Sequence, residues 1–142
     1  MRQVSLLAPG ITALAHVMPD VRAAMRQIAG SRESEGRKAL VDKLNQIASE
    51  AEIKLTGGNS KSISKDLLDK WLSPSDSSHP PSLLAILAFC RATDNPAPLQ
   101  IILRAVGLDV MTDEDRKFRD YGRAVWEAEE AARNRKRIRE RI

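Results

Sequence analysis

Cysteine, histidine and aromatic residues are scarce in this chain, and each shortage closes a line of chemistry. One cysteine, Cys90, among 142 residues allows no internal disulfide and no zinc module of cysteine pairs. A reducing cytoplasm is the compartment such a chain suits. Cys90 also sits in the most apolar stretch, where a thiolate is disfavoured, so it reads as a packing thiol and not as a nucleophile. The two histidines, His16 and His79, stand in an N-terminal arm and in a Ser/Pro loop. No cysteine or carboxylate is spaced to pair with either, and neither belongs to a metal pair at four-residue spacing. Two Trp, two Phe and one Tyr form no aromatic RNA-binding motif. No run approaches the roughly 20 apolar residues that cross a bilayer. The expectations are therefore no enzyme, no metal, no cofactor, no small-molecule substrate and no membrane.

What is present is ordinary in amount and uneven in distribution. The apolar fraction of 42% and the charged fraction of 30% are those of a globular domain, and a chain of about 150 residues can bury roughly 70% of its unfolded surface. Residues 131–142 hold Arg133, Arg135, Lys136, Arg137, Arg139 and Arg141 against Glu140, a balance of +5 in a chain whose net charge is +4. A basic arm on a near-neutral body suits phosphate contacts, which release condensed counterions. It equally suits a helix end whose cations complement the negative pole of the helix dipole.

Apolar spacing predicts helices nearly throughout. Pro9 and Gly10 interrupt the apolar N-terminus, so 1–18 is expected to be a loose arm or a short packing helix before Pro19, and not a cleaved signal. The second segment, 19–110, begins with a helix carrying Val21, Ala24, Met25 and Ile28 and closed by Gly30. A helix over 37–50 follows, with Leu40, Val41, Leu44, Ile47 and Ala48. Ser64 caps a third helix, 64–72, with Leu67, Leu68, Trp71 and Leu72 on its apolar side, and Pro74 stops it. Ser82 then starts the densest apolar run, Leu83 to Cys90. That run is expected to form the central core helix, because it is apolar around most of its circumference. Pro96 and Pro98 open a fifth helix that Gly107 ends. Thr112 with Asp115 three residues on caps a last helix over 111–142, with a seam of Phe118, Tyr121, Val125 and Trp126, polar on every side beyond about residue 131. Gly57-Gly58 can supply the turn of a small β-hairpin at 52–63, placing Lys54 opposite Lys61. Two cations so placed either bind an anion such as a phosphate or splay into water.

The region from the second helix to the third resembles a helix-turn-helix of the lambda-repressor-like class. Leu40 and Leu44 match buried positions of its first helix; Ile63, Leu68 and Trp71 match those of its recognition helix, with Ser64 at the start. More specifically, Leu55-Thr56-Gly57-Gly58, Ile63-Ser64-Lys65-Asp66-Leu67-Leu68-Asp69-Lys70-Trp71-Leu72 and Leu87-Ala88-Phe89-Cys90-Arg91-Ala92-Thr93 resemble small regulatory proteins of Mu-like prophages. The resemblance implies an all-α fold, a compact bundle of about five short helices with a longer C-terminal helix. It also implies a transcription regulator that binds double-stranded DNA.

On that resemblance helix 64–72 enters the major groove. Ser64, Lys65 and Lys70 are expected as base or phosphate contacts, and Asp66 and Asp69 as selectors against wrong bases. Lys54, Lys61, Ser62 and the arm with Arg133, Arg135, Lys136 and Arg137 are expected to hold the backbone. A homodimer is expected because one helix reads only a few base pairs; the last helix either supplies its interface or packs onto its own domain. The alternative from another class is a phage adaptor that binds a protein through the last helix.

Overall fold

The computed structural model describes residues 11–58 and 60–142, and among them every regular element is helical. Contacts divide the chain between Asp109 and Val110 into two units. Among the described residues the first holds a helical stretch at 11–13, a 3-10 turn, Leu14–His16, and five longer helices: α1 Val17–Ala29, α2 Glu35–Ala51, α3 Lys65–Leu72, α4 Leu83–Thr93 and α5 Ala97–Arg104. The second holds one helix, α6 Asp113–Arg141. Of the arm expected over 1–18, residues 1–10 lie outside the described residues. Val17 and Met18 are the first residues of α1 and pack against the core.

Local signals set where the helices begin. Ser34, Ser64, Ser82 and Thr112 each accept a bond from the backbone N–H three residues on, at 3.3, 3.1, 3.1 and 3.1 Å, and so satisfy one of the donors a helix start leaves open. At Thr112 the cap is reciprocal, since the Asp115 carboxylate accepts from the Thr112 N–H. Their ends are equally local. Gly30 closes α1 at φ +80° and Gly107 follows α5 at φ +81°, values that glycine adopts without steric cost.

Each helix then buries the face its spacing defines. Val21 and Met25 of α1, Leu44 of α2, Leu68 of α3 and Phe89 of α4 are wholly inaccessible. They meet because α1 packs on α5 and α3, α2 packs on α4 and α3, and α4 closes against α5. Leu40, Val41, Trp71, Leu72 and Ile86 complete one core.

Two expectations fail here. Among the described residues of 52–63 there is no strand and hence no hairpin. Glu52 turns the chain out of α2 at φ +56°, and the segment is then anchored by side chains instead of by a ladder. Leu55 and Ile63 are buried; Ser82 Oγ donates to the Leu55 carbonyl at 3.0 Å. Asn45 takes both backbone groups of Ile63, donating to its carbonyl at 2.9 Å and accepting its N–H at 2.8 Å. Nor is α4 enclosed. Ala85, Ala88, Phe89 and Ala92 face inward, whereas Leu83, at 61% exposure, with Leu84 and Leu87, faces outward.

Candidate nucleic-acid interface

The stretch proposed to read bases, Ser64 to Lys70, is fastened to the body by its own charges. Asp69 is buried, at 8% exposure, because the spacing that turns Leu68 and Trp71 into the core carries the intervening residue to the edge of the α2 contact. There Arg37 Nη1 of α2 meets Asp69 Oδ1 at 2.7 Å, while Lys65 Nζ and Arg32 Nε reach Oδ2 at 2.9 and 3.4 Å. Burial by itself pushes the Asp69 carboxyl up. The hydrogen bonds and charges of Lys65 and Arg37 outweigh it and hold the group below the ordinary carboxylate range. Asp69 is therefore an internal counter-ion, and the selector role expected of it does not suit its position: both of its oxygens are occupied from within the chain.

The neighbouring groups are also partly engaged. Lys70 Nζ lies 3.6 Å from Asp66 Oδ2, and Ser64 spends its hydroxyl on the helix cap. Asp66 and Ser64 are exposed, and Lys65 and Lys70 are half-exposed. A shallow pocket of about 220 Å³ beside them is lined by Arg32, Asp66, Asp69, Lys70, Ser73, Ser75 and Asp76.

Sequence reasoning missed the cations that seat this helix. Arg22, buried in α1, donates from Nε to the Trp71 carbonyl, from Nη2 to that of Lys70 and from Nη1 to that of Asp76, each at 2.7 Å. Arg26, one turn on, donates to the Leu72 carbonyl at 2.7 Å. Two guanidinium groups thus satisfy the open acceptors at the negative pole of α3. The available signal was a pair of arginines four apart on a helix whose Val21 and Met25 face inward.

Lys54 and Lys61, expected to oppose each other in a hairpin, nonetheless line one groove of about 420 Å³ with Ala48, Ser49, Glu52 and Ile53. Glu52 sets a carboxylate beside the two cations. Ser62 is exposed, and its N–H donates to Ser60 Oγ at 3.3 Å.

Within the second unit α6 runs unbroken through the basic stretch to Arg141. Arg133 pairs with Glu130, and Arg137 donates to Asn134 Oδ1 at 2.9 Å. Among the described residues no acidic partner lies within ion-pair distance of Arg135, Lys136, Arg139 or Arg141. They are exposed around the circumference of the last turns of α6 and make that end of the helix basic.

The groups considered for catalysis lie elsewhere. His79, expected to lack a carboxylate partner, has one: Asp76 Oδ2 is 3.1 Å from its Nδ1, and Asp76 Oδ1 accepts the N–H groups of Ser78 and His79 at 2.9 and 2.8 Å. Three residues of a Ser/Pro loop bring the two together, so the pair organises a turn. Burial pushes the Cys90 thiol up, beyond what nearby backbone hydrogen bonds offset. No group of three or more His, Cys, Asp or Glu residues suited to a metal ion occurs among the described residues, and no helix there is long and apolar enough to cross a membrane. The chain matches no protein-family model, no curated protein and no solved structure.

Proposed function

We propose that this protein is a non-enzymatic, cytoplasmic regulator of the prophage type that binds double-stranded DNA. The observation that carries the reading is the exposed basic end of α6, four of whose cations have no internal counter-ion within reach. Such a surface gains most from a polyanion, because each phosphate it neutralises releases condensed counterions. The α2–α3 contact supports the second half of the reading. A short helix capped by Ser64 packs against its predecessor and keeps Lys65, Asp66 and Lys70 at the surface, and side chains in the first turn of such a helix reach base edges.

In this reading affinity and sequence preference have different sources. Arg133, Lys136, Arg137 and Arg141, with Lys54, Lys61 and Ser62, hold phosphates. Ser64, Lys65, Asp66 and Lys70 face the bases. Asp69 serves indirectly, by fixing the position of Lys65.

The test is selection of bound sequences from a random duplex pool, followed by titration at several salt concentrations. A recurring sequence bound tightly, with affinity falling steeply as salt rises, is the expected result. Absence of duplex binding even at low salt overturns the reading. An adaptor that uses α6 would then be favoured by the exposure of Phe118, Tyr121 and Trp126.

A further inference from the structure

The helix α6 carries an apolar seam that nothing in its own unit covers. Phe118 and Tyr121 are 67% and 72% exposed, and Val125 is exposed as well. With Ala128 and Ala132 these three fall at alternating steps of three and four, the repeat by which one helix lies along another. Trp126 stands off this line. The same steps reach Glu114 at one end and Arg135 and Arg139 at the other, so the seam is apolar in the middle, acidic at its start and basic at its finish.

We infer that α6 pairs with α6 of a second copy of this chain, antiparallel, in the register that sets Val125 against Ala128. Charge selects the direction. A parallel pair stacks Glu114 on Glu114 at one end and Arg135 on Arg135 and Arg139 on Arg139 at the other, three like-charged layers in all. Turning one helix round sets Glu114 against Arg139 of the other copy and gives each end of the pair an opposite-charge layer.

Size and chemistry select the register. With Val125 level with Ala128, Tyr121 meets Ala132 and Phe118 meets Arg135. Large groups then face small ones in the two central layers, and a guanidinium meets an aromatic face in the next. Sliding one helix by seven residues puts Val125 against Arg135 in one direction and Glu114 against Ala132 in the other. Only the proposed register complements every layer from Glu114 to Arg139.

This inference stands on α6 alone and does not depend on DNA binding, so its failure leaves the regulator reading untouched. It is tested on the full chain without nucleic acid. Sedimentation equilibrium should give a dimer that dissociates on dilution; a monomer at every concentration up to hundreds of micromolar overturns the proposal. For direction and register, Cys90→Ser serves as background for Tyr121→Cys and Ala132→Cys, each in a separate chain.

In the proposed pairing each single variant holds its two copies of the new cysteine about 16 Å apart along the axis, too far for a disulfide. In a glutathione buffer an equimolar mixture should therefore cross-link, and neither variant alone should. Cross-linking of either variant with itself, or none in the mixture, overturns the proposal. Glu114→Arg should weaken dimerisation about tenfold, and adding Arg139→Glu to the same chain should restore it. These side chains are exposed, so folding is not at stake. A double variant as weak as the single one overturns the register.

Discussion

Three cations from two helices and a loop converge on Asp69, and what that carboxylate does depends on which of them is removed. Arg37 is itself buried, so losing the carboxylate strands a guanidinium away from water. Asp69→Asn is expected to cost about 3 to 5 kcal/mol, the range for breaking one side of a buried pair, read by urea unfolding at neutral pH. The pH dependence has a definite sign. The folded protein holds the Asp69 carboxyl below its unfolded value of about 3.9, so its contribution is full above that value and is lost as pH falls through the lower folded value. Unfolding free energies of the wild type and Asp69→Asn should therefore converge as pH is lowered below about 4. A constant gap down to pH 2 would assign the loss to packing. Trp71 offers a separate check, because at 2% exposure it belongs to the core. Trp71→Ala should cost about 3 to 5 kcal/mol, and a variant that melts normally yet fails to bind DNA would mean that the indole is a contact group.

At the scale of elements, α3 is held at both ends by groups distant in sequence. Arg22 lies 48 residues from Lys70 and 49 from Trp71. Arg22→Lys keeps the charge but loses the planar fork that reaches three carbonyls at once. It should destabilise the protein by about 2 to 4 kcal/mol, since charge-assisted buried bonds are each worth about 1.5 to 3; thermal unfolding followed by circular dichroism would check it. This distance also explains what could be read in advance. The helices were legible because their determinants are local: Ser64, Ser82 and Thr112 announce starts, Gly30 and Gly107 announce ends, and apolar residues three and four apart mark the inner faces. The path of 52–63 was not. Gly57-Gly58 favours a turn, but what holds the chain there is Asn45 on Ile63 and Ser82 on Leu55, and neither partnership leaves a local signature. The role of Asp69 was hidden for the same reason. Its i,i+4 link to Lys65 could be counted on the sequence, whereas Arg37 becomes its neighbour only once α2 and α3 pack.

Across the whole molecule, charge is divided between tasks by position on α6. In the antiparallel pair Arg135 and Arg139 lie in the seam, whereas Arg133, Arg137 and Arg141 fall on its outer face, where phosphates can reach them and compete with Glu130 for Arg133. The two copies of Arg137 would stand about 31 Å apart, from 1.5 Å of rise per residue. That is close to the one-turn spacing of about 34 Å at which dimeric regulators meet successive grooves. Replacing Arg133, Arg137 and Arg141 together with Gln should then leave sedimentation as a dimer unchanged while weakening binding to all duplexes alike. The slope of log affinity against log salt should become shallower by about 5.4 for the dimer, at roughly 0.9 for each of the six phosphates, three per copy, that are no longer neutralised. Replacing Arg135 and Arg139 should act in the opposite order, loosening the dimer first and DNA binding only through it. If the outer-face variant keeps the original salt slope, these arginines do not touch phosphate. The electrostatic case for DNA would then fall back on Lys54, Lys61 and the surface of α3, where Asp66 and Glu52 set opposing charges beside the lysines.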